Sequence, residues 1–379
     1  MRFEFATATR IVFGAGTVRE VAPAAKTLGQ RALITLGCPR ELAALLLAEL
    51  DCCVLEVAGE PTVDLVRQGA QLARQTHCDV IIGFGGGSAI DAGKAIAALV
   101  ANPGDPLDYL EVIGAGRALS TPSAPFIAVR TTAGTGAEVT RNAVLASPEH
   151  RVKASLRSPL MLARLAVVDP ELTIELPPAV TASTGLDALT QLIEPFVSIR
   201  ANSMTDLFCR EGIERAASAL VRAYENGRDL AARTDMAWAS LLGGLALANA
   251  GLGAAHGFAA PIGGLFEAPH GAVCAALLPH VMDVNIRALR ARIPGSDTLR
   301  RYEAIARLLT GRPQATPEDG VAWVAETCQA LRILPLGSYG IGPEHVPGLV
   351  ENAARASSTK GNPIALTPDE LREIMTRAM

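Results

Sequence analysis

The sequence predicts an N-terminal α/β domain on a parallel sheet, residues 1–178, followed by an all-helical domain, residues 179–379. Three observations carry this. Short apolar runs alternate with amphipathic segments in the first half, the βαβαβα order that a parallel sheet with helices on its faces requires. Two polar glycine turns follow strands in that half. From about Pro177 the pattern changes to long apolar or amphipathic helices joined by short turns, with no further strong β-branched run.

In chain order, RALITLG (31–37) reads as a buried strand, ELAALLLAEL (41–50) as a helix, CCVLEVA (52–58) as a strand and VDLVRQGAQLARQT (63–76) as a helix. CDVIIGFGGG (78–87) is a strand running into a glycine loop, and AIDAGKAIAALVAN (89–102) a helix. APFIAVRTTAGTG (124–136) supplies another strand and turn, and ARLAVVDPEL (163–172) one more strand end. LPPAV, near 177–180, serves as a turn that opens the first helix of the second domain.

Length and charge exclude several classes. A chain of 379 residues holds about two or three domains and buries substantial cores. With 34 Lys and Arg against 38 Asp and Glu, the net charge of −4 offers no broad positive field for a phosphate backbone, so no nucleic-acid partner is expected. Seven cysteines, odd in number and without a CxxC, fit reduced thiols in a cytoplasmic protein. The N-terminus has no apolar core of a signal peptide, because Arg2, Glu4 and Arg10 interrupt it. Met236–Phe266 carries no charged residue and is long enough to span a bilayer, but its glycines, Pro261, Asn249 and His256 would break one continuous helix. The expectation is a core helix ending in a glycine-rich turn, with no membrane partner.

Gly85-Gly86-Gly87-Ser88-Ala89-Ile90-Asp91 lies between a buried strand and a helix. Glycines there let backbone N–H groups approach an anion closely at a helix N-terminus, and a pyrophosphate is the natural ligand. The pattern is not GxGxxG, and a plain strand-to-helix turn with Ser88 as N-cap remains the alternative. Asp91 fits equally as a first-turn carboxylate favoured by the helix dipole. A second turn, Thr131-Thr132-Ala133-Gly134-Thr135-Gly136-Ala137-Glu138, places three hydroxyls where open parallel sheets bind ligands; its alternative is a helix start capped by the glutamate. In the helical half, Asp187 and Gln191 share a helix face, and His256 and His270 sit beside glycines in an apolar setting. One carboxylate and two imidazoles suit a divalent transition metal, although a histidine in an apolar stretch is more often a hydrogen-bonded core residue, as His280 illustrates.

Together these blocks resemble the iron-containing (group III) alcohol dehydrogenase family. The resemblance runs through TRIVFGAGTV (9–18), GFGGGSAIDAGKA (83–95), TTAGTGAEVT (131–140), VDPELT (168–173), LPPAVTASTGLDALTQLIEPFVS (176–198), AAHGFAAPIGGLFEAPHGAVCAALLPHVMDVN (254–285) and STKGNPIALTPDEL (358–371). It implies a cleft between the two domains holding NAD or NADP and a divalent metal, Fe2+ or Zn2+. By the resemblance, Gly85, Gly86, Gly87, Ser88 and Asp91 contact pyrophosphate and ribose, Thr131, Thr132 and Thr135 line the cofactor, and Lys153 reaches its ribose or phosphates. Asp187, His256 and His270 become catalytic residues and, with the position of Gln191, the metal ligands.

Three departures stand out. The family's second ligand is a histidine where this chain has Gln191, many members have a proton-transfer histidine where it has Ala260, and NAD-preferring members end the second strand with an acid where it has Gly37. The expected activity is hydride transfer between NAD(P)H and a small alcohol or aldehyde. A maleylacetate-type keto acid reductase, a dehydroquinate synthase-like lyase and a nucleotide-binding protein with a decayed metal site are the alternatives. A cytoplasmic homodimer is expected, paired through the exposed edge of the TRIVFGAG strand.

Overall fold

The computed structural model describes residues 2–379, which form two compact units. One comprises residues 5–132 and 136–175, the other residues 2–4, 133–135 and 176–379. The division at 175/176 falls three residues before the expected boundary, and the middle of the second glycine turn, Ala133–Thr135, belongs to the helical unit.

The first unit is built on eight strands: β1 (Ile11–Phe13), β2 (Ala32–Gly37), β3 (Cys52–Glu56), β4 (Val80–Gly85), β5 (Phe126–Arg130), β6 (Asn142–Ser147), β7 (Val152–Arg157) and β8 (Leu165–Val168). Its helices are α1 (Val21–Leu28), α2 (Ala44–Glu49), α3 (Val63–Gln75), α4 (Gly87–Ala101) and the single turn α5 (Pro106–Tyr109). Six strands make a wholly parallel sheet in the order β1-β8-β5-β4-β2-β3. The central strands β4, β5 and β8 are buried throughout and read as unbroken apolar runs for that reason. Successive strands run outward from β2 to β3 and then return to β4 on the other side of β2, so the order reverses between β2 and β4. Ligands bind at the carboxyl ends of strands flanking such a reversal.

Three local expectations change. Residues 41–50 form a 3-10 turn, Arg40–Ala43, before the short α2, rather than one helix. The N-cap of α4 is Gly86 and not Ser88, which lies inside the first turn. The segment after the second glycine turn is not a capped helix: one 3-10 turn, Ala137–Val139, leads into the antiparallel β6–β7 hairpin, and Glu138 is buried against Arg130 at 3.1 Å.

The helical unit contains α6 (Pro178–Val197), α7 (Ser203–Glu225), α8 (Leu230–Ala250), α9 (Ala254–Leu265), α10 (His270–Arg292), α11 (Asp297–Thr310), α12 (Pro317–Ala330), α13 (Val346–Arg355) and α14 (Pro368–Ala378). Helix α6 packs against α7, α8 and α10, and Gly185 through Val197 is buried without a break. The uncharged stretch Met236–Phe266 is divided between α8 and α9, bent by 97° at a short break. By length and composition α10 alone could also cross a membrane, but 78% of its apolar window is buried inside the protein.

Asp169, buried just beyond β8, ties the sheet edge together. Its carboxylate accepts from the N–H of Gly16 (3.2 Å) and Val18 (3.0 Å), fixing the turn after β1, and from Glu171 (3.0 Å), capping the next turn. Replacing it leaves three part-buried N–H donors without their acceptor, so Asp169→Ala should lower unfolding stability in denaturant by about 2 kcal/mol and speed amide exchange at Ile11–Phe13. Asp169→Asn, which keeps one acceptor oxygen, should lose less; unchanged stability in both would remove Asp169 from this role.

Candidate active site

In the sheet unit the carboxyl ends of β2 and β4 meet at Gly37 and Gly85, which face each other in register. A Cβ on Gly85 would fall 2.9 Å from the Gly37 Cα and 2.8 Å from the Ala89 Cβ, and its φ of +151° also requires glycine. A Cβ on Gly37 would likewise lie 2.8 Å from Ala89. Gly37 is therefore glycine because α4 sits directly on the strand end, which corrects its reading as an acidic position left vacant. Beyond β2, Arg40 pairs with Glu56 at 3.2 Å, both exposed.

Gly86 has ordinary extended dihedrals, and a Cβ there would only touch Thr132, 3.4 Å away. The N–H groups of the first turn of α4, at Gly87 and Ser88, are free of intrahelical acceptors by their position, as an anion site requires. The glycine seam and this helix start thus fit a pyrophosphate. Thr131 is buried, its N–H given to the Gly85 carbonyl at 2.9 Å.

Other expected cofactor residues are committed within the protein. Asp91 accepts from the Val144 N–H (3.0 Å) and lies 3.4 Å from Lys94 Nζ; burial raises its pKa against the pull of that lysine. Lys153, on β7, pairs with Glu60 at 2.9 Å. Lys94, passed over in the sequence, donates to the carbonyls of Ala137 (2.8 Å) and Asn142 (2.6 Å) and the Thr140 hydroxyl (3.0 Å), pinning the segment that enters β6. Thr135 lies in the helical unit, where the neighbouring Gly134 carbonyl accepts from Ser240 at 3.1 Å.

The helical unit brings Asp187, His256 and His270 together and adds Cys274, with one ligand atom from each lying within 4.8 Å of the others. Three helices supply them. Asp187, Gln191 and Glu194 share one face of α6, His256 stands in the first turn of α9, and His270 and Cys274 are four residues apart on α10. Gly271 permits the approach of α10, since a Cβ there would fall 2.3 Å from the Ser183 carbonyl and 3.1 Å from the Asp187 Cβ.

His256 Nδ1 bonds Glu194 Oε2 at 2.7 Å, and the other Glu194 oxygen accepts from the Ala255 N–H at 2.7 Å. In the neutral ring, with the carboxylate accepting at Nδ1–H, Nε2 carries the lone pair, 3.4 Å from Asp187 Oδ1. His270 Nε2 is 3.9 Å from the same oxygen and 3.8 Å from Cys274 Sγ. Gln191 Nε2 donates to Asp187 Oδ2 at 2.8 Å.

Asp187 Oδ1, His256 Nε2 and Gln191 Oε1 are buried without a hydrogen-bond partner among the described residues. Orphaned acceptors converging in a dry site are costly unless a cation joins them, so the residues present fit a metal ion. The charges agree. Burial opposes ionisation of Asp187, yet the nearby imidazoles of His256 and His270 and the Gln191 amide lower its pKa. Burial disfavours a charged His256, but Cys274, Asp187 and Glu194 raise its pKa well above the usual value, and His270 shifts the same way, so an entering cation takes the place of the ring protons that these anionic neighbours otherwise hold. Cys274, despite burial, is lowered by the two imidazoles.

Sequence reasoning named Asp187, Gln191, His256 and His270 and missed Cys274 and Glu194. The signals were the four-residue step from His270 and the seven-residue step from Asp187. His280 is partly buried, and its Nδ1 has no partner among the described residues, so it is not the hydrogen-bonded core histidine expected.

Residues 8–170 match the family described as iron-containing alcohol dehydrogenase, and residues 181–379 match the Fe-containing alcohol dehydrogenase family, C-terminal. The chain is 38% identical over 324 residues to alcohol dehydrogenase 4 of Schizosaccharomyces pombe, covering 85% of this chain and 74% of that protein. It is 31% identical over 384 residues to the NAD-dependent methanol dehydrogenase of Bacillus methanolicus, covering 97% of each. A crystal structure of 1,3-propanediol oxidoreductase superposes with a TM-score of 0.91 at 32% identity over the full length of both chains. With both halves matched in order and a metal-ready cluster where the helices of the second half converge, the chain belongs to the iron-containing alcohol dehydrogenase family.

Proposed function

We propose that the protein is a nicotinamide-dependent oxidoreductase that transfers hydride between NAD(P)H and a small alcohol or aldehyde, with a divalent metal held by Asp187, His256 and His270. The observation that carries the metal-assisted reading is the set of buried, partnerless ligand atoms converging from separate helices. Relatives named for methanol and 1,3-propanediol support small alcohols as substrates, and an NAD-dependent relative supports the cofactor class. A keto acid of the maleylacetate type is the second reading, motivated by the departure at Gln191 from the family's ligand set.

When bound, the metal supplies a Lewis acid that polarises the substrate oxygen and favours alkoxide near neutral pH. The bound nicotinamide supplies the hydride chemistry. The chain's own residues prepare both. The glycine seam and the first turn of α4 receive the pyrophosphate. Glu194 holds the His256 proton on Nδ1 and keeps Nε2 open, and Gln191 orients Asp187 by donating to Oδ2. Seven free cysteines suit a reducing, cytoplasmic setting, and β1, at the sheet edge, leaves an edge for a second copy. The deciding assay follows NADH and NADPH absorbance with aldehydes and keto acids before and after chelation; chelator-sensitive turnover of aldehydes supports the reading, and full activity in metal-free protein rejects the metal's part.

Gly86→Val should fold as wild type, because Gly86 needs no special dihedral, but should weaken dinucleotide binding at least about tenfold, roughly 1.4 kcal/mol. Titration with NADH checks this, and wild-type affinity in the folded variant would remove the loop from the site. Glu194→Gln replaces an acceptor with an amide donor opposite His256 Nδ1, so the ring proton moves to Nε2, where the metal belongs. Metal affinity should fall about 10–100-fold, as for other residues that orient a ligating histidine. Unchanged affinity by competition with a chelating dye would show that Glu194 does not set the tautomer.

A further inference from the structure

We propose that Cys274 is itself a metal ligand, so that Asp187, His256, His270 and Cys274 form the holding set and Gln191 stands outside it as a hydrogen-bond donor to Asp187. The inference rests on the metal reading above and concerns which atoms complete it. Donors around a tetrahedral ion with bonds of about 2.0–2.3 Å lie roughly 3.3–3.8 Å apart. The separations present are 3.4 Å from His256 Nε2 to Asp187 Oδ1, 3.9 Å from His270 Nε2 to that oxygen, and 3.8 Å from His270 Nε2 to Cys274 Sγ. Small closing movements would bring all four donors onto one ion.

Independent features agree. Asp187 and His256 are 2% and 5% exposed, and each aims a partnerless atom into the cluster. Cys274 is wholly buried, and its four-residue offset from His270 on α10 sets both side chains on the face that meets α6. Gln191, which stands where a fourth ligand is expected, has its amide nitrogen on Asp187 Oδ2. Only the nitrogen end of an amide can serve a carboxylate, so that contact directs the donor and not the carbonyl oxygen at the aspartate. Its Oε1 is buried and partnerless, which makes it the competing ligand to be tested. A thiolate is the stronger choice for a borderline-soft ion such as Zn2+ or Co2+, and on binding Cys274 releases its thiol proton to water.

Cobalt substitution reads this directly. The full-length protein, stripped of metal and loaded with Co2+, should hold about one ion per chain and show a near-ultraviolet sulfur-to-cobalt charge-transfer band. In Cys274→Ser the band should vanish and cobalt affinity should fall by more than the ~100-fold that loss of a supporting residue costs at most. Gln191→Ala should keep the band. X-ray absorption on the zinc-loaded wild type, which needs no variant to fold, should show one sulfur at about 2.3 Å. Bound metal with no sulfur in its shell, or a band that survives Cys274→Ser, overturns the assignment while leaving the metal reading intact. Failure of the wild type to retain any metal overturns both.

Discussion

A carboxylate buried at the centre of a helical bundle organises the second half of this chain. Asp187 has one oxygen satisfied by the Gln191 amide and the other facing two imidazoles and a thiol without a hydrogen bond. Such a group is tolerated in a dry interior only when charge compensates it. The surrounding elements are shaped to bring that compensation. Glycine at 271 lets α10 reach α6, and Glu194 reaches across to the first turn of α9 to hold His256 in place. Neither residue is needed for helix formation; both are explained by the site.

The sheet unit follows a parallel logic with backbone in place of side chains. Its reversal point is closed so tightly by Gly37, Gly85 and Ala89 that no side chain fits, and the surface left there is peptide N–H and a helix start. Lys94 and Arg130 are spent inside, Lys94 on backbone carbonyls and Arg130 on Glu138, holding the segment between β5 and β6. Asp91 is likewise spent on the Val144 N–H, so the polar residues of this motif build the platform on which the glycine loop stands.

Elements buried on both faces were the most legible in the sequence. β4, β5 and β8 announce themselves as apolar runs, and α4 was placed within two residues of its start. The β6–β7 hairpin was not legible, because its buried Ala143, Leu145, Ala154 and Leu156 alternate with half-buried Val144, Ala146 and Ser155, which leaves little hydrophobic contrast. The same weakness hid Cys274, since in HGAVCAALL a cysteine reads as one more small core residue. Asp187, His256 and His270 were legible as residue types in an uncharged setting, but their meeting depends on the bend between α8 and α9, which no local pattern encodes. Gly37 was misread for a related reason: its neighbour Ala89 is distant in sequence.

The central claim is that the cluster around Asp187 is completed by a cation in the folded protein alone. Thermal unfolding of chelated protein titrated with Zn2+ measures this without reference to any substrate. At a hundredfold excess over the dissociation constant, the account predicts stabilisation of about 2.7 kcal/mol, a rise in midpoint of roughly 3 °C for a chain of 379 residues, and no such rise in Asp187→Asn. A midpoint indifferent to metal, or one that rises equally in the variant, would contradict it.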